Sequence, residues 1–207
     1  MRVLLYVEAP FASFAMPQTR TCITSYPVCP FSTIYGLLLS LVGEVDVTRH
    51  VGVGISLAML SRPEKFWMLR KISKEKRTKS GMVYSCPKNV QQLSDVRIAI
   101  MLEDCEDKNA LVARVSRALV DFDCPDLQRR FGILSLGESK NMVDSLRELR
   151  QSDFTDVAKA VWPSSKGVLS LPVWPNYKNP SAGKYVACEL KMVSGPQEMA
   201  PPLVVKP

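Results

Sequence analysis

The stretch SYPVCPFSTIYGLLLSLVGE, residues 25–44, most constrains how this chain can fold. Four of its apolar residues recur at helical spacing and form one stripe, which a helix must bury against a sheet: Ile34, Leu37, Leu38 and Leu41. A membrane span needs about 20 apolar residues, so this stretch is too short to cross a bilayer. It predicts a buried helix that is capped by Ser32 or Thr33 and followed by Gly43.

Gly36 lies inside this predicted helix, where glycine costs about 1 kcal/mol relative to alanine. Two explanations are open: close packing of the helix on a sheet, or close approach of a ligand. The sequence favours packing. The segment 11–32 before the helix has no periodicity and carries three prolines, which predicts a long ordered loop of the kind that is usually functional.

The periodic segments predict an α+β protein. Their core order is strand, helix, strand, strand, helix, strand, with a hairpin inserted, as in the ferredoxin-like or RRM-like βαββαβ fold. The segments are a strand at 2–10, the helix above, strands at about 46–60 and 64–73, an alternating strand at 94–102, a helix at 107–122 and a short strand at 132–136. A turn and a short helix are expected over 137–149.

Two regions are predicted along the chain. The first is an RRM-like domain over 1–150 that carries a protruding hairpin at about 64–93, and the second is a small β-rich extension over 151–207. Strands are expected at 167–174 and 184–193, and the segment after them is predicted to be an extended tail with little core of its own. The apolar first strand does not resemble a charged leader with a cleavage site, so we expect no signal peptide and a cytoplasmic location.

Positive charge is concentrated in one segment. Between Arg62 and Lys88 lie nine basic and two acidic residues, and nine minus two gives +7, which equals the net charge of the whole chain. The rest of the chain is therefore neutral. A localised excess of this kind is typical of proteins that bind polyanions.

The predicted hairpin mixes these charges with apolar side chains. Its turn, KEKRTKSG at 74–81, lies between the two strands, and aromatic and thioether residues flank it: Phe66, Trp67, Met68, Met82 and Tyr84. Cations can follow phosphates while aromatic rings stack on bases, so the mixture favours RNA over a merely solvated charged surface.

Catalytic and metal-binding motifs are absent from the sequence. The six cysteines form no CxxC pair, and His50 is the only histidine, so we expect no metal, no cofactor and small buried thiols in a reducing compartment. The GVG at 52–54 is too short for a dinucleotide fingerprint and is better explained by a twisted strand. His50 has no acidic partner nearby in sequence, which favours a structural role.

Four segments, in order, resemble the fifth family of CRISPR-associated proteins, within the RAMP superfamily. They are PFASF (10–14), TSYPVCPFSTIYGLLLSLVGE (24–44), QQLSDVRIAIML (91–102) and GILSLGESKNMVD (132–144). The resemblance covers about residues 1–150 and implies an RRM-like RAMP fold. It also implies a subunit of a type I Cascade complex that holds the 5′ handle of the crRNA, contacts the backbone and large subunits, and meets target DNA only through the complex.

The resemblance also implies where RNA binds. It assigns the loop and the start of the helix to the RNA-binding face, where helix N–H groups suit phosphate oxygens, and it makes the hairpin a thumb over the guide. The candidate RNA-binding residues are Arg20, Tyr26, Phe31, Ser32, Thr33, Tyr35, Trp67, Arg70, Lys74, Lys76, Arg77, Lys79, Met82, Tyr84, Gly137, Ser139 and Lys140.

One branch of this family cleaves precursor RNA with a tyrosine, a lysine and a histidine. This chain has no Lys-His dipeptide, and Arg49-His50 precedes the predicted thumb. We therefore expect a non-catalytic scaffold that relies on a separate processing nuclease. Two alternatives stay open: an endoribonuclease that processes precursor crRNA, and a basic protein-interaction module that does not bind RNA.

Overall fold

The computed structural model describes residues 1–17, 22–72, 86–121, 123–128, 132–174 and 182–207. Within these ranges the strands are β1 (Arg2–Ala12), β2 (Cys22–Ile23), β3 (Val53–Met59), β4 (Glu64–Ile72), β5 (Cys86–Asp104), β6 (Ser145–Glu148), β7 (Lys159–Pro163), β8 (Leu169–Trp174), β9 (Lys184–Met192) and β10 (Leu203–Val204). The helices are α1 (Phe31–Leu41), α2 (Leu111–Val120) and the short α3 (Pro125–Gln128), with 3-10 turns at Gln151–Asp153 and Pro196–Glu198.

The described strands form one sheet of ten strands. Its main path runs β6-β1-β5-β3-β7-β9-β8, with β2 and β4 paired to β5 and β10 paired to β3. Neighbouring strands are antiparallel, except that β2 runs parallel to β5. The chain is therefore a mixed α/β protein built on a large antiparallel sheet.

Strand β5 organises this sheet. Its C-terminal half lies between β1 and β3, whereas its N-terminal part, Cys86–Ser94, pairs with β4. The predicted alternation is confirmed, because every second residue of the C-terminal half is fully buried on one face: Val96, Ile98, Ile100 and Leu102. The strand is longer than the predicted 94–102, since it continues into the pairing with β4.

Helix α1 packs its apolar stripe into the core as predicted, with Ile34, Leu37, Leu38 and Leu41 all buried. The predicted cap is wrong. Pro30 is the N-cap residue, no side chain caps the helix, and Ser32 and Thr33 lie inside its first turn. Proline fixes the extended backbone that precedes a helix, so no hydroxyl is required to mark the start. Gly43 follows the helix with a left-handed φ of 63°, as expected.

The predicted strand at 132–136 is wrong, as is the short helix predicted over 137–149. Only Ser135 makes an isolated bridge, to Met142, and the strand of this region is β6, which pairs with β1. Gly132 and Gly137 both have positive φ, 72° and 86°, and they turn the chain at either end of the apolar run. The run resembles a strand because Leu134 and Leu136 are buried, but its backbone is that of a turn.

The C-terminal segment is not the coreless tail that its composition suggested. Leu203 and Val204 pair with β3, and Val205 is fully buried. Strand β7 also pairs with β3, so strands from 151–207 continue the sheet that 1–150 begins. The division into two regions at residue 150 stays a prediction. In the described ranges, no helix has the length and apolar character needed to cross a membrane.

Candidate nucleic-acid interface

A groove of about 380 Å³ opens beside α1, and we call it the α1 groove. Its walls come from the loop after β1, the loop and first turns of α1, the turn around residue 137, and Pro172 of β8. Four predicted RNA-binding residues line it together with Gly36: Tyr26, Ser32, Thr33 and Gly137. Segments that are distant in sequence are thus brought to one surface.

The loops that form the groove are held by hydrogen bonds around Ser25 and Gln91. The Ser25 hydroxyl accepts from the Phe14 N–H at 2.9 Å and donates to the Tyr26 carbonyl at 3.0 Å. The Ser25 N–H donates to the Gln91 side-chain oxygen at 3.1 Å, and the Ser13 hydroxyl donates to the Gln91 carbonyl at 2.9 Å. These bonds fasten the described parts of the loop to the start of β5, which gives the groove a fixed wall.

Gly36 faces the groove and not the sheet. The residue is exposed, and a Cβ built on it would have no neighbouring atom within 4 Å. The helix meets the core through Leu37 and Leu38 instead. The packing explanation for Gly36 is therefore wrong, and a longer side chain at this position would project into the groove.

Gly137 is required by close contact between two walls of the groove. Its φ of 86° is left-handed, and a Cβ on it would collide with the carbonyl oxygen of Ser13. Only glycine avoids both penalties. The contact holds the turn against the loop after β1 and so sets the width of the groove.

The chemistry of the α1 groove is polar but not basic. Ser32 and Thr33 contribute half-buried hydroxyls, and the rings of Phe14 and Tyr26 line the groove although they are only 2% and 8% exposed. Burial, and to a lesser extent the nearby Tyr185, raises the pKa of Tyr26, so its phenol stays neutral. Glu138 is the only charged residue among the described residues of the lining, and it forms an ion pair with Lys140 at 3.4 Å. Such a surface suits bases and riboses better than phosphates.

The start of α1 offers fewer N–H groups than predicted. The N–H groups of Thr33 and Ile34 already donate to the Pro30 carbonyl, at 3.1 and 3.3 Å. Phosphate binding at this helix end is correspondingly less favoured than the helix position alone suggests.

Besides Tyr26, which is buried but lines the groove, two predicted RNA-binding residues lie in the core. Phe31 is 1% exposed and Tyr35 is 4% exposed, and neither lines the groove. The Tyr35 hydroxyl donates to the Val47 carbonyl at 2.8 Å, its ring lies 5.9 Å from that of Trp174, and burial raises its pKa to about 12. Their burial leaves no surface for RNA, because the face of α1 that carries them packs inward.

The base of the predicted hairpin is formed by β4 and the first part of β5, paired from Ile72↔Cys86 to Glu64↔Ser94. Trp67, Met68 and Leu69 are all exposed, so both faces of β4 meet solvent. The Lys140 amine lies 3.8 Å from the Met68 sulfur, which brings the turn that carries Gly137, Ser139 and Lys140 next to β4.

Several other predicted RNA-binding residues, most of them in the hairpin, cannot be placed. Seven of the predicted RNA-binding residues lie outside the described ranges: Arg20, Lys74, Lys76, Arg77, Lys79, Met82 and Tyr84. The backbone of Arg70 lies in β4, but its side chain also falls outside what the structure describes.

His50 has an acidic partner that is remote in sequence, Asp107, which lies 57 residues further along the chain. The ring is fully buried, and its Nδ1 lies 3.0 Å from the Asp107 carboxylate. Its Nε2 lies 3.1 Å from a guanidinium nitrogen of Arg114, which also pairs with Glu44 at 3.0 Å and Asp126 at 2.9 Å. Arginine can only donate, so Nε2 accepts and Nδ1–H donates to Asp107, which is the neutral form of the ring.

Asp107 also organises the start of α2. Its carboxylate accepts the N–H groups of Asn109 and Leu111, each at 2.8 Å. Burial alone would raise the pKa of Asp107, but these hydrogen bonds and the one from His50 hold it below its ordinary value. The D-x-N pattern just before the helix was a usable sign of this turn. The cluster joins the end of α1 to the start of α2 and has no exposed imidazole.

Five cysteines have side chains that the structure describes, and all five are free: Cys22, Cys29, Cys105, Cys124 and Cys188. Burial raises the pKa of Cys29 well above its ordinary value and that of Cys188 to about 11. No group of three or more histidine, cysteine, aspartate or glutamate side chains within the described residues is arranged to hold a metal ion.

Comparison with known proteins agrees with the resemblance. No protein-family model matches the chain. The chain is 28% identical over 203 residues to the CRISPR-associated protein Cas5 of Myxococcus xanthus (strain DK1622), covering 95% of this chain and 94% of that protein. The predicted resemblance to the fifth family of CRISPR-associated proteins is thus confirmed.

The fold is also similar to two solved structures. A chain of a CRISPR RNA-guided surveillance complex matches with a TM-score of 0.65 and 12% identity, over 97% of this chain and 91% of that one. A Cas protein matches with a TM-score of 0.51 and 13% identity, over 99% and 95% of the two chains. The mixed α/β architecture is therefore shared with CRISPR-associated structures.

Proposed function

We propose that the chain is a non-catalytic RNA-binding subunit of a type I CRISPR Cascade complex. In this role it caps the 5′ handle of the crRNA and links the backbone subunit to the large subunit, so that it meets target DNA only through the complex. The similarity to a protein named Cas5, which spans nearly the full length of both chains, supports this role. In this proposal the chain belongs to a hetero-oligomer and is located in the cytoplasm.

The α1 groove is the observation that carries the proposal. Tyr26, Ser32, Thr33 and Gly137 were selected from two separate segments of sequence, and they line one open groove. Gly36 keeps the helix side of the groove clear. We assign bases and riboses of the handle to this groove, because its described lining holds hydroxyls and rings and no cation.

The phosphates are assigned to the basic hairpin, which would act as the thumb. Its described base has exposed Met68 beside Lys140 on one face of β4 and exposed Trp67 on the other face, so an RNA strand that leaves the groove would meet a cation on one face and a ring on the other. Strand β4 pairs only with β5 among the described strands, as an arm inserted between β3 and β5 would.

An RRM-like core is part of the same proposal. The elements β1, α1, β3, β5, α2 and β6 follow one another in βαββαβ order, and their strands are direct neighbours as β6-β1-β5-β3. This arrangement supports a ferredoxin-like core to which β7, β8, β9 and β10 are added.

The burial of His50 supports a non-catalytic role. A general base must lie within hydrogen-bonding reach of the proton that it removes. The imidazole is fully buried and is engaged by Asp107 and Arg114, so an RNA hydroxyl has no access to it.

The test is a titration of fluorescent handle RNA, from the repeat of the host's CRISPR array, with wild type and Gly36→Gln. Loss of one stacked base costs about 1 to 3 kcal/mol, so we expect Gly36→Gln to weaken binding by about tenfold or more. Ser116→Gln is the control, because it introduces the same side chain on α2, outside the groove. It should bind the RNA as wild type does. Equal affinity of Gly36→Gln and wild type would contradict the groove assignment, and site-specific cutting of the RNA would favour the endoribonuclease alternative.

A further inference from the structure

We propose that a second groove of this chain, at the end of the sheet where β3, β7 and β9 meet, binds an acidic, aliphatic segment of a protein partner. We call it the β7–β9 groove, and its volume is about 460 Å³. It shares no described lining residue with the α1 groove, so the proposal does not depend on RNA binding at that groove.

The register of the sheet builds the floor and one wall of this groove. Met59, Lys159 and Met192 are cross-strand neighbours in one row on β3, β7 and β9. Leu190 lies two residues before Met192 and therefore on the same face. Val28, in the loop before α1, adds a second buried surface to the groove.

The apolar lining is partly open to solvent. Val157 is 37% exposed, Leu190 38% and Met192 57%, whereas Met59 beside them is buried. Three exposed apolar side chains around a buried methionine form a concave aliphatic surface. Apolar surface of this kind, surrounded by polar residues, is typical of the centre of a protein–protein interface.

The charges around this surface select the partner. Arg62, Lys65 and Lys159 line the groove, and none of the three forms an ion pair with another residue in the described ranges. Asp156 is the one acidic residue of the described lining, so three positive charges minus one negative charge leave +2. Complementarity therefore favours a partner segment that places carboxylates beside these cations.

A polypeptide fits the lining better than RNA does. None of the described residues that line the groove is aromatic, and proteins that hold single-stranded RNA retain its bases largely by stacking them on rings. Methionine, leucine and valine side chains instead adapt to other aliphatic side chains. The occupant that matches both properties is a segment in which carboxylate and aliphatic residues alternate.

The experiment uses the full chain and a short fluorescent peptide of alternating leucine and glutamate, with a leucine–lysine peptide of the same length as the comparison. We expect only the acidic peptide to bind. The double variant Arg62→Glu/Lys159→Glu should weaken that binding by at least tenfold, and Met192→Ser should weaken it without any charge change. Lys166→Glu, an exposed lysine outside the groove, should bind the peptide as wild type does.

Two results would overturn the proposal. One is an acidic peptide that fails to bind, or that binds wild type and the double variant equally. The other is displacement of the bound peptide by handle RNA in the Gly36→Gln variant, since RNA would then occupy the β7–β9 groove. Failure of RNA binding at the α1 groove would leave the peptide result unchanged, so the two proposals fail separately.

Discussion

Gly36 on α1 and Gly137 on the turn before β6 line the same groove, although they come from distant parts of the sequence. They do so for different reasons. Gly137 permits two loops to touch, because a Cβ would collide with Ser13, whereas Gly36 leaves space that no described residue fills. One glycine therefore supports the groove, and the other keeps it open.

Gly36→Ala should stabilise the protein. The position is helical and exposed, with room for a Cβ, so alanine recovers about 1 kcal/mol of helix propensity without a steric cost. Urea unfolding of the two proteins measures this difference. A loss of stability would show that Gly36 is needed for packing after all.

Gly137→Ala should destabilise the protein more than Gly132→Ala does. Both glycines have left-handed φ, which costs a side chain about 1 to 2 kcal/mol. Only Gly137 adds a collision with the Ser13 backbone, since a Cβ on Gly132 would meet no described atom within 4 Å. The difference between the two free energies of unfolding isolates this collision, and equal losses of stability would mean that the loops separate without cost.

Arg114→Leu should be among the most damaging substitutions on α2. Within the described ranges, it leaves Asp126 without an ion-pair partner, leaves Glu44 with only the exposed Arg49, and removes the donor to His50. Breaking such a largely buried ion pair costs about 3 to 5 kcal/mol. Arg117→Leu is the matched control, because Arg117 is exposed on the same helix. Thermal unfolding compares them, and similar melting temperatures would contradict a stabilising role for the cluster.

His50→Ala should lower the melting temperature and leave the length of the guide RNA unchanged. The loss of stability follows from the partners at Asp107 and Arg114, which would face an empty site. The length of the guide RNA stays unchanged because the buried imidazole cannot reach an RNA hydroxyl. Guide RNA extracted from the assembled complex measures the second effect, and accumulation of uncut precursor in this variant would restore the nuclease alternative.

The stability of the protein should fall at acidic pH. The pKa of Asp107 is lower in the folded protein than its ordinary value of 3.8. Below that value the unfolded chain binds a proton that the folded chain resists, so stability is full above pH 3.8 and is lost as pH falls through the lowered pKa. In denaturant titrations, the stability of Asp107→Asn should fall less steeply with decreasing pH than that of the wild type. An equally steep fall would contradict this contribution of Asp107.

The periodic segments of the sequence predicted the core well, because the spacing of their apolar residues directly shows which face of a helix or strand is buried. The stripe on α1 and the alternation on β5 are examples. Contacts between remote segments were not predictable, since neither the pairing of β10 with β3 nor the Asp107–His50 bond has a local pattern. Tyr35 shows the limit at the site: its position beside Ser32 and Thr33 suggested RNA, but helical rotation turns it inward.

The salt dependence of RNA binding tests the role of the thumb. Lys74, Lys76, Arg77 and Lys79 should bind phosphates, and each replacement by glutamine that removes a bound phosphate should flatten the salt slope by about 0.7. Trp67→Ala should weaken binding while the slope stays nearly constant, because a stacked ring releases no counterions. If the variant with all four residues replaced by glutamine keeps the wild-type salt slope, the hairpin is a solvated arm that binds no phosphates.

Met82→Ala and Tyr84→Ala should behave as Trp67→Ala does. Both residues flank the basic turn in sequence and are predicted to displace or stack on a base, which is worth about 1 to 3 kcal/mol per base. Titrations at several salt concentrations separate this effect from the removal of charge. A marked change of slope in either variant would contradict an uncharged interaction with the RNA.

Photo-crosslinking of the assembled complex tests the central claim most directly. Thiouridine placed in the 5′ handle of the crRNA should crosslink to this chain, and mass spectrometry should locate the crosslinks in the segments 26–36 and 137–140, which meet at the α1 groove. Gly36→Gln should reduce those crosslinks, and Ser116→Gln should not. Crosslinks from the handle that fall only on other subunits, or on this chain outside both segments, would contradict the account.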